Sequence, residues 1–413
     1  MYIDFKKKCF YVLVLAILLG FFLVSCDKKN EVVSLSQDSL FALEYGNFEN
    51  EVNLFSLSQP SDVHTYITMQ DGFFYIVNGE SKKILELSSY GDLISIYYNE
   101  GTNPTPEFAE DDYAQVASST KKAVSYPFNS LGPITVDSHK YIYVVDTLPE
   151  ARQEMDTENC LLLSQVVLRF SNNGEFIDYI GQRGPGGEPF PYIRSLYTTQ
   201  NNELVVVCQT NTGMIVYWYD DTGYLRHSVP FDSSQLPNPL AEQTPMEMFV
   251  MLDKVIPSRT EDKLYVKIDY YTSTVDTASN VQSGIDYTSS LLFPLDVNTG
   301  NYEKPLTIPV YQQEDTDGLT RVVYPLPYEF LGVTESGWFF FIVPDDTGYH
   351  IQMIQKDGLR ILNRHLELNH KDVLYHNFSL SSKGIISVLL AYTDNVTVSW
   401  WRTDSLIDSI LKE

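Results

Sequence analysis

Apolar residues along this chain alternate with polar ones or gather in short runs, and Gly, Asn, Asp or Ser bound nearly every run. That pattern predicts many short strands, and helical periodicity is almost absent. A two-part phrase recurs. A small turn leads into a strand rich in aromatic or β-branched residues, and a second hairpin follows whose turn often carries Gly. Copies begin at 70–77 with 84–87, at 134–146 with 166–180, and at 201–207 with 215–219. Three more begin at 262–268 with 291–295, at 336–342 with 351–354, and at 383–390 with 396–401.

Six copies of a four-stranded unit predict an all-β fold, a β-propeller of six four-stranded blades. One such unit has two apolar faces and must bury both against neighbours, which a ring accomplishes. The segment 39–57, apolar at 40–43 and around Val52, Leu54 and Phe55, is expected to complete the last blade. Polar or acidic stretches at 102–129, 148–163, 233–247, 272–286 and 312–328 read as rim-loop insertions, the usual seat of binding specificity.

Ahead of the repeats lies a different kind of sequence. Lys6, Lys7 and Lys8 precede an apolar run from Phe10 to Val24, too short for a comfortable membrane span. The run ends in Leu23-Val24-Ser25-Cys26. This resembles the lipobox of bacterial lipoproteins, which implies cleavage before Cys26 and lipid attachment to its sulfur. Multiple acyl chains would give stable anchoring. The expected organisation is a signal peptide over 1–25, a lipidated tether over 26–38 and the propeller over 39–413. The expected location is the cell envelope, outside the cytoplasm, with the membrane as a partner through Cys26.

The whole chain carries a net charge of −26. The leader holds Asp4 against Lys6, Lys7 and Lys8, so the remainder is more acidic still, at −28. Such a surface repels phosphate backbones and argues against nucleic acid as a partner. Beyond Cys9 and Cys26 only Cys160 and Cys208 remain, in no metal-binding spacing. An exported location permits a disulfide between them, and two separate thiols fit equally well.

The segment 172–188 ends in Gly-Gln-Arg-Gly-Pro-Gly-Gly-Glu. It resembles the blade ending of NHL-type and related six-bladed propeller lipoproteins, where a strand runs into Gly-x-x-Gly and a Gly-Pro-Gly-Glu-like turn. The resemblance implies a fold more than an activity. A phosphate-cradling loop is the lesser reading, since the Gly-Lys-Ser/Thr ending and the following helix are missing. Arg183 and Glu188 flank the turn and are the candidate binding residues, placed either to pair across it or to line a central channel.

No residue pattern marks a catalytic set. His-x-x-x-His and Gly-x-Ser-x-Gly are both missing, and His365, Glu367 and His370 are a weak metal cluster. Acidic runs at 110–112 and 314–317 read as solvated loops, with calcium as the one cofactor they suggest. Asp220-Asp221 and Asp345-Asp346 are expected at strand turns. Of the aromatic pairs Tyr97-Tyr98, Tyr270-Tyr271 and Trp400-Trp401, blade packing explains most. The function expected is a membrane-anchored, non-catalytic module that binds a protein, peptide or glycan. The rival is a calcium-dependent hydrolase or lyase acting on a sugar lactone or ester, with an acidic ring in the channel.

Overall fold

A computed structural model describes residues 32–54, 63–110, 121–241, 247–275, 282–317 and 320–411. Cys26 and the leader lie outside the described residues. The chain folds into a six-bladed β-propeller. Blade 1 runs outward from Thr65–Gln70 through Phe73–Asn78 and Lys83–Leu87 to Leu93–Tyr98. Blade 2 comprises Leu131–Val136, Ile142–Thr147, Gln165–Phe170 and Phe176–Gly181, and blade 3 Ile193–Thr198, Leu204–Gln209, Gly213–Tyr219 and Leu225–Asp232. Blade 4 comprises Met248–Pro257, Lys263–Val275, Gln282–Asp296 and Leu306–Ile308. Blade 5 holds Glu329–Val333, Trp338–Asp345, Gly348–Gln355 and Ile361–Glu367.

Blade 6 takes three strands from the end of the chain, Tyr375–Leu380, Ile386–Ala391 and Asn395–Trp401. Its fourth is Asp38–Tyr45, antiparallel to Asn395–Trp401. The expected closure by the segment after the tether is therefore present. Just before it, Val33–Leu35 lies parallel on the outer edge of blade 5.

Each blade presents apolar side chains on both faces, because successive strand residues point opposite ways. In Phe73–Asn78, Phe74 and Ile76 enter a core shared with blade 6, while Tyr75 and Val77 enter one shared with blade 2. Six apolar clusters result, each built from two adjacent blades. The ring is held by these interfaces, where one fully buried Phe contributes roughly 1.5–3 kcal/mol.

The two faces of the disc differ. Turns joining first to second and third to fourth strands are short and repetitive. In 88–92, 137–141, 171–175, 199–203, 220–224, 334–338 and 381–385 the first residue's amide donates to the fifth residue's carbonyl, and the fourth residue's amide donates to the first's carbonyl. The first residue is Ser, Thr or Asp, whose side chain accepts from a turn amide, as Asp220 does from Thr222 and Tyr224. The fourth has positive φ, hence Gly at 91, 174, 223, 337 and 384. The opposite face carries the insertions. Two of those read as loops hold strands: 272–275 and 282–286 extend the central hairpin of blade 4, and 312–328 overlaps the hairpin Tyr311–Asp317 with Thr320–Leu326. Tyr270 and Val250, at the base of the blade 4 extension, pack into the core, whereas Ile285, Val322, Val323 and Tyr324 on the extensions are exposed. A helix unforeseen in the sequence, Thr403–Leu411, follows the last strand and packs Ile407 against Gly384 on the tight-turn face.

The segment after the closing strand is pinned to blade 1. Lys83, fully buried, donates from Nζ to the Phe48 carbonyl at 2.7 Å, and Asn78 exchanges hydrogen bonds with Asn53. Burial lowers the Lys83 pKa from 10.5 to about 8, against an opposing pull from Glu51. Between those values the unfolded chain holds a proton that the folded state lacks, so this group's contribution to stability grows as pH rises from about 8 towards 10.5. The buried tyrosines act in the opposite sense above pH 10, since burial pushes groups such as Tyr97 up to about 12. Unfolding free energy measured from pH 7.5 to 10 is therefore expected to rise in the native protein relative to Lys83→Met, by on the order of 2–3 kcal/mol. Parallel pH profiles for the two proteins would contradict the assignment.

Cys160 and Cys208 are not bonded. Cys160 is exposed in the insertion of blade 2, and Cys208 is buried in blade 3. Iodoacetamide is expected to label Cys160 in the native protein and Cys208 only after denaturation. Resistance of both until a reductant is added would show a disulfide instead.

Candidate central-channel site

The first strands of all six blades line one central cavity of about 390 Å³. Each begins at the insertion-bearing face and ends at a tight turn. Four of them carry a β-bulge near the insertion face, at Gly132-Pro133, Arg194, Asp253 and Leu331. A bulge sets two residues against one and re-aims the side chain it carries. In blade 3 that side chain is Arg194, which thereby joins the channel wall beside Ser195.

The wall's charge is opposite to that of the molecule. Among the described lining residues the cations are Arg194, Lys254 and Arg259, and the single carboxylate is Glu329. Lys254 Nζ donates to Glu329 Oε1 at 3.0 Å, with the ammonium mostly buried and the carboxylate mostly exposed. Burial opposes the charge on Lys254, but Glu329 more than offsets it and raises the Lys254 pKa. Arg194 donates to Gln209 Oε1 at 3.3 Å. Arg259 donates from Nη1 to the Thr198 carbonyl at 3.2 Å and makes no ion pair among the described residues. Burial lowers its pKa, with Glu335 opposing; a guanidinium remains charged despite such a shift.

The groups are distributed along the channel. Arg194, Lys254, Glu329 and His376 stand towards the insertion face, and Arg259 follows its strand at the tight-turn face. Thr198, which accepts from Arg259, lies four strand residues beyond Arg194, or roughly 13 Å at strand rise. Half-buried Tyr66, Tyr197 and Phe378 lie along the wall. Asn377 Oδ1 accepts from the Ile67 amide at 2.9 Å, and Tyr375 donates to the Thr65 carbonyl at 2.6 Å. These two bonds tie blade 6 to blade 1 at the channel and fix the wall where the ring closes.

The residues singled out from sequence lie elsewhere. Arg183 and Glu188 are exposed at the outer edge of blade 2, away from the channel lining. Their turn is a structural hairpin: the Gln182 amide donates to the Glu188 carbonyl at 2.8 Å, and Gly186 to Tyr179 at 2.8 Å. A side chain on Gly181 would collide with the carbonyls of Gly187 and Glu188, which accounts for glycine there. His365 pairs with Asp345 at 3.1 Å on the rim of blade 5, and no group of three metal-ligating side chains forms among the described residues. The acidic ring expected of a calcium-dependent enzyme is likewise not formed by the described channel lining, whose one carboxylate is already engaged by Lys254. Residues 111–112 lie outside the described residues. Asp220 and Asp345 do cap turns as expected, and Tyr97, Tyr98, Tyr270 and Trp401 are buried core.

A second cleft of about 480 Å³ lies outside the ring, between the small hairpin of Glu154–Asp156 with Leu161–Leu163 and blade 3. Its lining includes Asp156, Asn211, Tyr217 and Asp232 and carries no Lys or Arg among the described residues.

Neither the family models nor the curated proteins contain a match to this chain. Solved structures do align with it. The propeller of Dos1 is 10% identical, with 88% of this chain and 94% of that chain covered and a TM-score of 0.37. An ulvan lyase of the polysaccharide lyase family PL25, bound to -[GlcA(1-4)Rha3S]-, is 10% identical, with 88% and 95% covered and a TM-score of 0.38. A further PL25 ulvan lyase structure is 11% identical, with 88% and 95% covered and a TM-score of 0.38.

Proposed function

We propose that this protein is an envelope lipoprotein, anchored through lipid on Cys26, whose propeller is a binding module with its ligand seat in the central channel. The observation that carries the binding reading is the wall of Arg194, Lys254 and Arg259 inside a chain of net charge −26. Cations kept together on one concave surface, with a single carboxylate among them, oppose the general composition and call for a purpose beyond solubility. The lipobox at 23–26 and the Lys6–Lys8 cluster support the anchor. The junction at 181–188 supports kinship with NHL-like propeller lipoproteins, in which the disc is a scaffold for recognition.

Two experiments test the two halves. Cys26→Ala is expected to move the protein from the membrane to the soluble fraction and to abolish incorporation of labelled palmitate. Retention on the membrane with the label intact would refute lipid anchoring at this residue. Capture from detergent-solubilised envelopes is expected to retain a component that Lys254→Glu with Arg259→Glu no longer retains, recovered chemically unchanged. Equal retention by the variant would remove the channel from the account, and recovery of a cleaved component would indicate an enzyme.

A further inference from the structure

The charge, shape and aromatic content of the channel define a ligand class, given the binding reading above. We infer that the channel takes a linear acidic saccharide whose carboxylates engage Arg194 and Arg259 near its two ends.

Three observations lead there. First, Arg259 makes one hydrogen bond, to a backbone carbonyl, and no ion pair among the described residues. A half-buried guanidinium has five donors and a planar fork matched to a carboxylate. Arg194 likewise spends one bond of 3.3 Å on the neutral amide of Gln209, which leaves most of its fork for a ligand. Second, these cations sit towards opposite ends of the wall: the Thr198 carbonyl that holds Arg259 lies roughly 13 Å of strand rise beyond Arg194. One compact anion does not reach both, whereas an extended chain with charges spaced along it does. Third, Tyr66, Tyr197 and Phe378 line the same wall, each packed in part against a blade interface and half-exposed to the channel. Aromatic faces pack on the flat apolar faces of sugar rings, and phenolic hydroxyls serve the ring substituents. The cavity, about 390 Å³, is in the range of a small-ligand site and too small to enclose a folded partner.

Glu329 has a role in this arrangement. Its carboxylate occupies Lys254 at 3.0 Å in the free protein and is itself mostly exposed at the insertion-face mouth. It thus competes with an incoming carboxylate for Lys254 and tempers the wall. Removing its charge frees a third cation without removing any group that would touch the ligand.

The test is calorimetric titration of the full chain in detergent with a tetrameric oligogalacturonate, with its fully methyl-esterified counterpart and with hexaglutamate as comparisons. The oligogalacturonate is expected to bind, the methyl ester at least tenfold more weakly, and hexaglutamate more weakly than the uronate. Arg259→Ala and Arg194→Ala are each expected to weaken uronate binding at least fivefold. Glu329→Gln is expected to tighten it three- to tenfold, a gain that misfolding would not produce. Equal binding of the ester would overturn the acidic class while leaving a channel binder standing. Tighter hexaglutamate would overturn the saccharide. No binding of the uronate, or a Glu329→Gln variant that binds it no better, would overturn the inference, and the capture experiment would still decide the binding reading separately.

Discussion

Segments from opposite ends of the described chain must meet before blades 1 and 6 are buried on both faces. Asp38–Tyr45 pairs with Asn395–Trp401, and Tyr45 donates across this junction to the Tyr392 carbonyl at 2.6 Å. Bringing such distant segments together costs entropy, but that cost grows only slowly with chain length. The gain is the interface that closes the ring between blades 6 and 1, in which Leu43 packs with Leu389 and Phe74. A propeller left open would expose both apolar faces of that interface at once.

Closure also determines what the channel can be. The six first strands face inward because the other three strands of each blade are consumed by stacking. Their inward side chains are released from the requirement to be apolar, and the wall uses that release for Arg194, Ser195, Lys254, Asn377 and Ser379. The bulges at Arg194 and Leu331 extend this freedom by turning one additional residue towards the axis. The buried Lys83 shows the same closure from outside the channel: a lysine is tolerated at full burial because its ammonium anchors the returning chain at Phe48.

This division explains what was legible in the sequence. The recurring phrase corresponds to the second and third strands of each blade, such as Phe73–Asn78 with Lys83–Leu87 and Leu204–Gln209 with Gly213–Tyr219, which are buried on both faces and read as strong apolar runs. Blade number, the turns and the closing strand followed from these. The first strands were faint for the reason that makes them interesting: Ile193–Thr198 and Tyr375–Leu380 mix channel-facing polar residues into the pattern. The site therefore fell in the gaps between recognised phrases, while Arg183 and Glu188, beside a conspicuous glycine turn, drew attention to the outer edge. A signal was present in retrospect: Arg194, Lys254 and Arg259 are among only 28 Lys and Arg residues and stand at equivalent places just before or just after a first strand's apolar core. The terminal helix was not read, although Leu406, Ile407 and Ile410 share one helical face. The strand extensions at 272–286 were not, because Thr, Ser and Asp there resemble loop composition and are held as strand only by pairing across the hairpin.

Amide hydrogen exchange reports most directly on the closure from which the channel follows. Exchange is to be followed by mass spectrometry on peptides covering 38–45 and 395–401. A closed ring predicts that both segments are protected to a similar degree and lose protection together as denaturant is raised. Free exchange of 38–45 beside a protected 395–401 would mean that this strand does not complete blade 6, and the ring closure described here would fail.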